Sequence, residues 1–223
     1  MLGGCEPKLK SCFKNEDHAL DVFEKELKAN LSELQKHGLF FSFTTDPMLK
    51  ETAPITLEAV KICCGLDVPV KILTKKTNYI FSFLTNIMAY KWDNIAFGFT
   101  ITGHDELEPN ASTNQERIEA MRKLHEAGFK TFASIEPIID LTSSFEMIAA
   151  TNGFCDLYKV GLESGKKYDK HDLFSFITGV ITQVEFSGAK IYFKESLLDK
   201  AEVWRSTLPA NCVNRDFKLF KEE

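Results

Sequence analysis

The chain has 223 residues, 44% of them hydrophobic and 26% charged, which is ordinary for a globular protein able to bury a substantial core. Its net charge of −5, without a lysine or arginine block, gives no electrostatic footprint for sequence-independent nucleic-acid binding. No apolar run approaches the roughly 20 residues of a bilayer span, and residues 1–14 lack a signal-peptide core, so a cytoplasmic protein without a membrane partner is expected.

Residues 1–14 read as an irregular tail. Asn15 is a good N-cap, and Leu20, Phe23, Leu27, Leu31 and Leu34 give one amphipathic helix over 16–36, with Gly38 just past its end. Leu39 to Pro47 then reads as a buried strand over 39–44, tipped by Thr44, Thr45 and Asp46 and stopped by Pro47. Pro54 can open a helix that Gly65 ends. Val68 to Leu73 is a second strand, followed by Thr74-Lys75-Lys76 and a helical stripe of Ile80, Phe81, Leu84, Ile87 and Met88.

Ile95 to Ile101 is the third strand, with Gly98 inside it and Thr100 and Thr102 at its end. That glycine marks close approach of a ligand or of packed neighbours. Ser112 with Gln115, or Thr113 with Glu116, offers a capping box for the next helix, and Gly128 its C-cap. Phe129 to Ile135 is the fourth strand, ending Glu136-Pro137; a short helix spans about 143–151. Cys155 to Val160 is the fifth strand, then a strong helix runs from Leu173 to Val184. Lys190 to Phe193 is the sixth strand, ending Lys194-Glu195-Ser196, before a weaker helix around 197–206 and a tail over 207–223.

The strand starts lie about thirty residues apart, the length of a βα unit, so the strands should be parallel with right-handed crossovers. The expected fold is α/β: one domain over 15–206, a closed or partial barrel or an open doubly wound sheet. A helix precedes the first strand, so the series looks as if its first strand were absent.

Parallel α/β folds place ligands at the C-terminal ends of their strands. The groups expected there are Thr44, Thr45, Asp46, Thr74, Lys75, Thr100, Thr102, Glu136, Lys159, Glu163, Lys194 and Glu195. Polar residues are also simply what strand ends present to solvent. Lys159 sits within an apolar strand; it is either ion-paired with Glu136 or Glu163, or an activated amine of the Schiff-base kind. His104, beside Asp105 and Glu106, can serve as an acid or base. The six cysteines, Cys5, Cys12, Cys63, Cys64, Cys155 and Cys212, are scattered and read as free thiols. Dinucleotide, P-loop and nucleophile-elbow motifs do not occur.

Phe41-Ser42-Phe43-Thr44-Thr45-Asp46-Pro47, Pro69 to Lys75, Phe97 to Thr102, Glu108 to Ser112, Arg117 to Ala120, Leu124 to Gly128, Ser134 to Asp140, Tyr158 to Gly161 and Tyr192 to Leu197 form an ordered set. Together, over roughly 20–200, they resemble the radical S-adenosylmethionine (SAM) proteins of the spore photoproduct lyase or DNA repair photolyase type. The resemblance implies a partial (β/α)6 TIM-like barrel, a lyase-like activity and a [4Fe–4S] cluster that cleaves SAM to a 5′-deoxyadenosyl radical. It implies that Thr45 and Asp46 contact the methionine or ribose portion of SAM, Lys75 its carboxylate and Thr100 its ribose. Glu136, Lys159 and Lys194 would line the substrate side as candidate catalytic residues. Nucleic acid is implied as a partner by the resemblance alone.

The chain departs from that family at one place. The family holds its cluster through C-x3-C-x2-C after the first barrel strand, and this sequence contains no such motif. No metal ligands are therefore expected, and the chain as it stands is expected to be a fragment or inactive in radical chemistry. Two other readings stay open: a cluster-less barrel acting as a binding or partner subunit, with a partner chain or preceding segment on its open edge, and a Lys159 Schiff-base lyase or aldolase.

Overall fold

The computed structural model describes residues 7–41, 45–87 and 93–220. Six parallel strands alternate with helices in an α/β fold, consistent with a partial TIM-like barrel. The chain divides into two compact units, Met1–Ile95 and Ala96–Glu223.

The first unit holds α1 (Glu16–Ala29), α2 (Leu31–His37), β1 (Leu39–Phe41), α3 (Ala53–Gly65), β2 (Val70–Thr74) and α4 (Ile80–Ile87). Asn15 caps α1, its side chain accepting the His18 N–H at 2.9 Å. The single helix expected over 16–36 is two. At Asn30 (φ −117°, ψ 22°) the backbone N–H turns to Glu26 and Leu27, and the side-chain amide donates to the Glu26 carbonyl at 2.9 Å. Asparagine's capacity for local backbone bonds ends the helix there.

β1 and β2 pair in parallel, Leu39 with Val70, Phe40 with Lys71 and Phe41 with Ile72. Gly38 (φ +74°) is required at the entry to β1, because a Cβ would stand 2.7 Å from the Pro69 carbonyl oxygen. β1 was expected to be fully buried, yet all three of its residues are only half-buried. Its pairing among the described residues is with β2 alone, so it receives part of the cover a central strand has. Phe41 meets Phe23 of α1, ring centroids 6.3 Å apart. Strand alternation therefore turns Leu39, Phe41, Val70 and Ile72 to the helices, and Phe40, Lys71 and Leu73 to the other face.

The second unit contains all but the first residue of β3 (Ile95–Thr100), then α5 (Asn114–Glu126), β4 (Lys130–Ile138), α6 (Leu141–Thr151), β5 (Leu157–Leu162), α7 (Lys170–Val184), β6 (Lys190–Phe193) and α8 (Glu195–Ala201). Thr113 and Glu116, rather than Ser112 and Gln115, form the capping box of α5. Every residue of β3 is buried. The Tyr158 hydroxyl donates to the Ile148 carbonyl of α6 at 3.2 Å. Tyr158 and its register partners Phe99, Ala133 and Ile191 therefore face the helices.

The opposite face carries Gly98, Thr100, Phe132, Ser134, Lys159 and Tyr192. A Cβ on Gly98 would lie 2.1 Å from the Phe132 ring, so packing accounts for that glycine. β4 runs past its expected end to Ile138, with a register shift after Ile135 that turns the chain at Glu136. The helix expected around 197–206 begins earlier, at Glu195, and stops where Glu202 takes a left-handed conformation (φ 53°). The tail is docked: the Ile191 N–H donates to the Asn211 carbonyl, and Val213 N–H to Ile191, along the outer edge of β6.

Candidate functional site

In the first unit, Asp46 organises the end of β2. Its Oδ1 accepts the Met48 N–H at 2.9 Å and the Thr74 hydroxyl at 2.6 Å, and its Oδ2 accepts the Lys75 N–H at 2.7 Å. Thr52 donates to the Asp46 carbonyl at 2.7 Å, folding the following turn back on itself. The carboxylate thus pins the segment after β1 to the tip of β2 and fixes where Lys75 leaves the strand. A carboxylate offers about four lone-pair sites, so roughly one stays open for a ligand cation. Thr45, next to it, is exposed, and Thr44 lies outside the described residues.

Sequence reasoning passed over Lys71. It makes no hydrogen bond or ion pair among the described residues, and burial pushes its ammonium pKa below the ordinary lysine value. Its signal in the sequence was a lone lysine between Val70 and Ile72, the pattern that drew attention to Lys159.

In the second unit the expected Lys159 pairing with Glu136 gives way to another. The Glu136 carboxylate meets Lys194 at 2.9 Å, while the Lys159 ammonium stands 5.1 Å from the centroid of the Phe132 ring. The cause is Gly161, which lies between the pair on β5. A Cβ there would be 2.6 Å from Glu136 Oε1 and 2.8 Å from Lys194 Cδ, so any other residue would push the ends of these two flexible side chains aside. Glu163 follows β5, its N–H donating to the Tyr168 hydroxyl at 3.3 Å.

Thr100 is buried at the end of β3, and the segment beyond it is braced by Arg117, which is completely buried. Arg117 Nε donates to the Ser112 carbonyl at 2.7 Å; Nη1 donates to the Thr100 carbonyl at 2.7 Å and to Glu108 at 2.8 Å. His104 binds Glu106 through Nδ1 at 2.7 Å and Asp140 through Nε2 at 2.5 Å. Hydrogen bonds to Glu106 first and Asp140 second raise its pKa. Ser143, through its hydroxyl and then its N–H, holds Asp140 down at about 2. With both ring nitrogens engaged, His104 ties its loop to the α6 N-terminus and is not poised as an acid or base for a ligand.

The cysteines among the described residues do not gather into an iron–sulfur site. Cys12 is exposed, and Cys63, Cys64, Cys155 and Cys212 are separate free thiols; Cys5 lies outside the described residues. Burial pushes Cys63 and Cys155 up to about 12, and Cys64 and Cys212 up to about 11, so none of them is a thiolate in the metal-free chain. Among the described residues no group of three or more His, Cys, Asp or Glu could hold a metal ion. No helix of the described residues is long and apolar enough to cross a membrane.

No family model matches the chain. Over 74 residues it is 35% identical to an uncharacterized protein of Methanocaldococcus jannaschii, MJ0683, a stretch covering 30% of this chain and 29% of that protein. Two solved structures of SuiB from Streptococcus suis are similar at 16% identity. The one bound to S-adenosylmethionine gives a TM-score of 0.57, covering 79% of this chain and 45% of SuiB. The one bound to the precursor peptide SuiA gives 0.61, covering 86% and 46%. The chain thus spans less than a third of the curated relative and less than half of each solved structure it matches. At that identity the likeness concerns architecture alone: the chain shares the fold of SuiB.

Proposed function

We propose that the chain is a SAM-binding segment of a radical SAM protein of the spore photoproduct lyase or DNA repair photolyase type. The observation that carries this reading is the tip of β2, where Asp46 fixes the departure of Lys75, in a fold shared with SAM-bound SuiB. SAM presents a carboxylate, an ammonium and ribose hydroxyls. Lys75 is suited to the carboxylate, the open acceptor site of Asp46 to the ammonium, and the Thr45 hydroxyl to a polar group of the methionine or ribose portion. In that family a [4Fe–4S] cluster supplies the electron that cleaves SAM; the cysteines among the described residues of this chain do not gather to hold one, and no radical step is assigned to it. Glu136, Lys159 and Lys194 line the substrate side. Nucleic acid as a substrate rests on the family resemblance, and the net charge of −5 adds nothing to it.

Calorimetric titration with SAM tests the reading. It expects saturable binding to the chain, weakened about tenfold or more, ~1.4 kcal/mol, in Lys75→Ala. Absence of saturable heat in the unsubstituted chain would overturn it.

A second reading, a binding or partner subunit, draws on the edge of β1. Beside it lies an apolar hollow of about 210 Å³ lined by Ala19, Leu20, Phe23, Phe41, Ile55, Thr56 and Ala59. A strand edge next to apolar surface suits cover by another segment or chain. A concentration-independent monomer mass in light scattering would count against cover by a second copy.

A further inference from the structure

β2 carries a lysine inside its apolar run, Val70-Lys71-Ile72-Leu73-Thr74. Val70 and Ile72 are fully buried, whereas Lys71 and Leu73 are half-buried. The parallel register sets Phe40 of β1 directly beside Lys71, and Phe40 is half-buried too. The three share the face turned away from the helices. Strand spacing puts Phe40 roughly 4.8 Å to one side of Lys71, and Leu73 roughly 6.6 Å further along β2. Among the described residues Lys71 makes no hydrogen bond, ion pair or ring contact. Burial lowers the pKa of its ammonium, and no carboxylate opposes that shift. Half-burial leaves the group within reach of a small molecule, while its apolar neighbours displace part of the water that would solvate it. A cation in that position carries a desolvation cost until a negative group meets it.

We propose that this face of the first unit binds a small apolar ligand through a single carboxylate paired with Lys71. Phe40 and Leu73 receive the apolar body, and the ammonium receives the charge. Hydrogen bonds between an ammonium and a carboxylate are charge-assisted, and apolar side chains beside them lower the local dielectric and strengthen them. One ammonium balances one carboxylate. A phosphate monoester carries about −1.5 to −2 at neutral pH and would leave excess negative charge beside two apolar side chains. The inference uses residues of the first unit alone and does not depend on the SAM reading. Lys75, proposed for the SAM carboxylate, follows the end of β2, whereas Lys71 lies inside the strand.

The test uses the full ¹⁵N-labelled chain with hexanoate, hexan-1-ol and hexyl phosphate as separate probes, at constant ionic strength set with sodium chloride. Amide shifts are followed in the unsubstituted chain and in Lys71→Met, which keeps a side chain of similar length and removes the charge. The expected result is saturable shifts at Phe40, Lys71 and Leu73 with hexanoate, at a half-saturating concentration about tenfold below that of hexan-1-ol. That preference should vanish in Lys71→Met. Equal binding of hexanoate and hexan-1-ol, shifts that avoid Phe40, Lys71 and Leu73, or an unchanged preference in Lys71→Met overturns the proposal. Hexyl phosphate binding more tightly than hexanoate overturns the assignment of a carboxylate. The mapping in the unsubstituted chain decides the question by itself if Lys71→Met folds poorly. SAM titration of the same samples separates the two readings: hexanoate binding without SAM binding sinks only the SAM reading, and the converse sinks only this one.

Discussion

Replacing Arg117 with methionine removes the central brace behind Thr100. The guanidinium is wholly buried, and its partner Glu108 has a side chain only 13% exposed. Three hydrogen bonds disappear together: to the Ser112 carbonyl, the Thr100 carbonyl and the Glu108 carboxylate. Methionine fills much of the volume, so the cost is electrostatic rather than a cavity. Breaking a buried ion pair from one side costs about 3–5 kcal/mol, because a charge stays behind in low dielectric. Adding Glu108→Gln to Arg117→Met removes that stranded charge and should recover about 1–2 kcal/mol of the loss. Urea unfolding followed by circular dichroism measures both variants. A loss below about 1 kcal/mol for Arg117→Met, or no recovery in the double variant, would refute the brace.

Asp46→Ala deletes three hydrogen bonds to a carboxylate and should destabilise the first unit by about 3 kcal/mol, read by urea unfolding or amide exchange near Thr74 and Lys75. Gly98→Ala drives a methyl into the Phe132 ring and should cost about 1–3 kcal/mol, unless the ring finds another rotamer. The His104 latch has a defined pH window. His104 has a raised pKa, so its contribution is complete below the ordinary histidine value of 6.5 and fades as pH rises through the folded value. Asp140 is lowered from 3.8 to about 2, so its contribution is complete above 3.8 and fades as pH falls through about 2. The stability gap between the unsubstituted chain and His104→Gln should therefore be widest between 3.8 and 6.5 and shrink at higher pH; a gap that grows with pH would contradict the latch. Anaerobic reconstitution with iron and sulfide should leave this chain without stoichiometric cluster, judged by iron content and the visible spectrum; a full complement of iron would contradict the cysteine argument.

Elements were legible where one residue type carries a local reason. Asn15 announced α1, Thr113 with Glu116 announced α5, and apolar runs spaced by βα lengths announced the parallel strands. The break at Asn30 was hidden because the leucine spacing continues through it and only the amide's bond to Glu26 ends the helix. The half-burial of β1 was hidden because apolar composition does not say how many neighbours a strand has. The site was legible as a set of strand ends but not as partnerships. That Glu136 reaches Lys194 past Gly161, and that Ser134 and Tyr192 flank Lys159, depends on register between strands about thirty residues apart. Asp46 stood out as a ligand contact; its hold on Thr74 and Lys75 joins residues 28 and 29 positions away.

The central claim is that this chain binds SAM at the C-terminal ends of its strands. Amide chemical-shift mapping with ¹⁵N-labelled protein and unlabelled SAM tests it most directly. The account predicts saturable shifts at Thr45, Asp46 and Lys75, with α1 and the N-terminal ends of β1 and β2 unmoved. Shifts confined to the helices or to the N-terminal strand ends, or none at millimolar SAM, would contradict it.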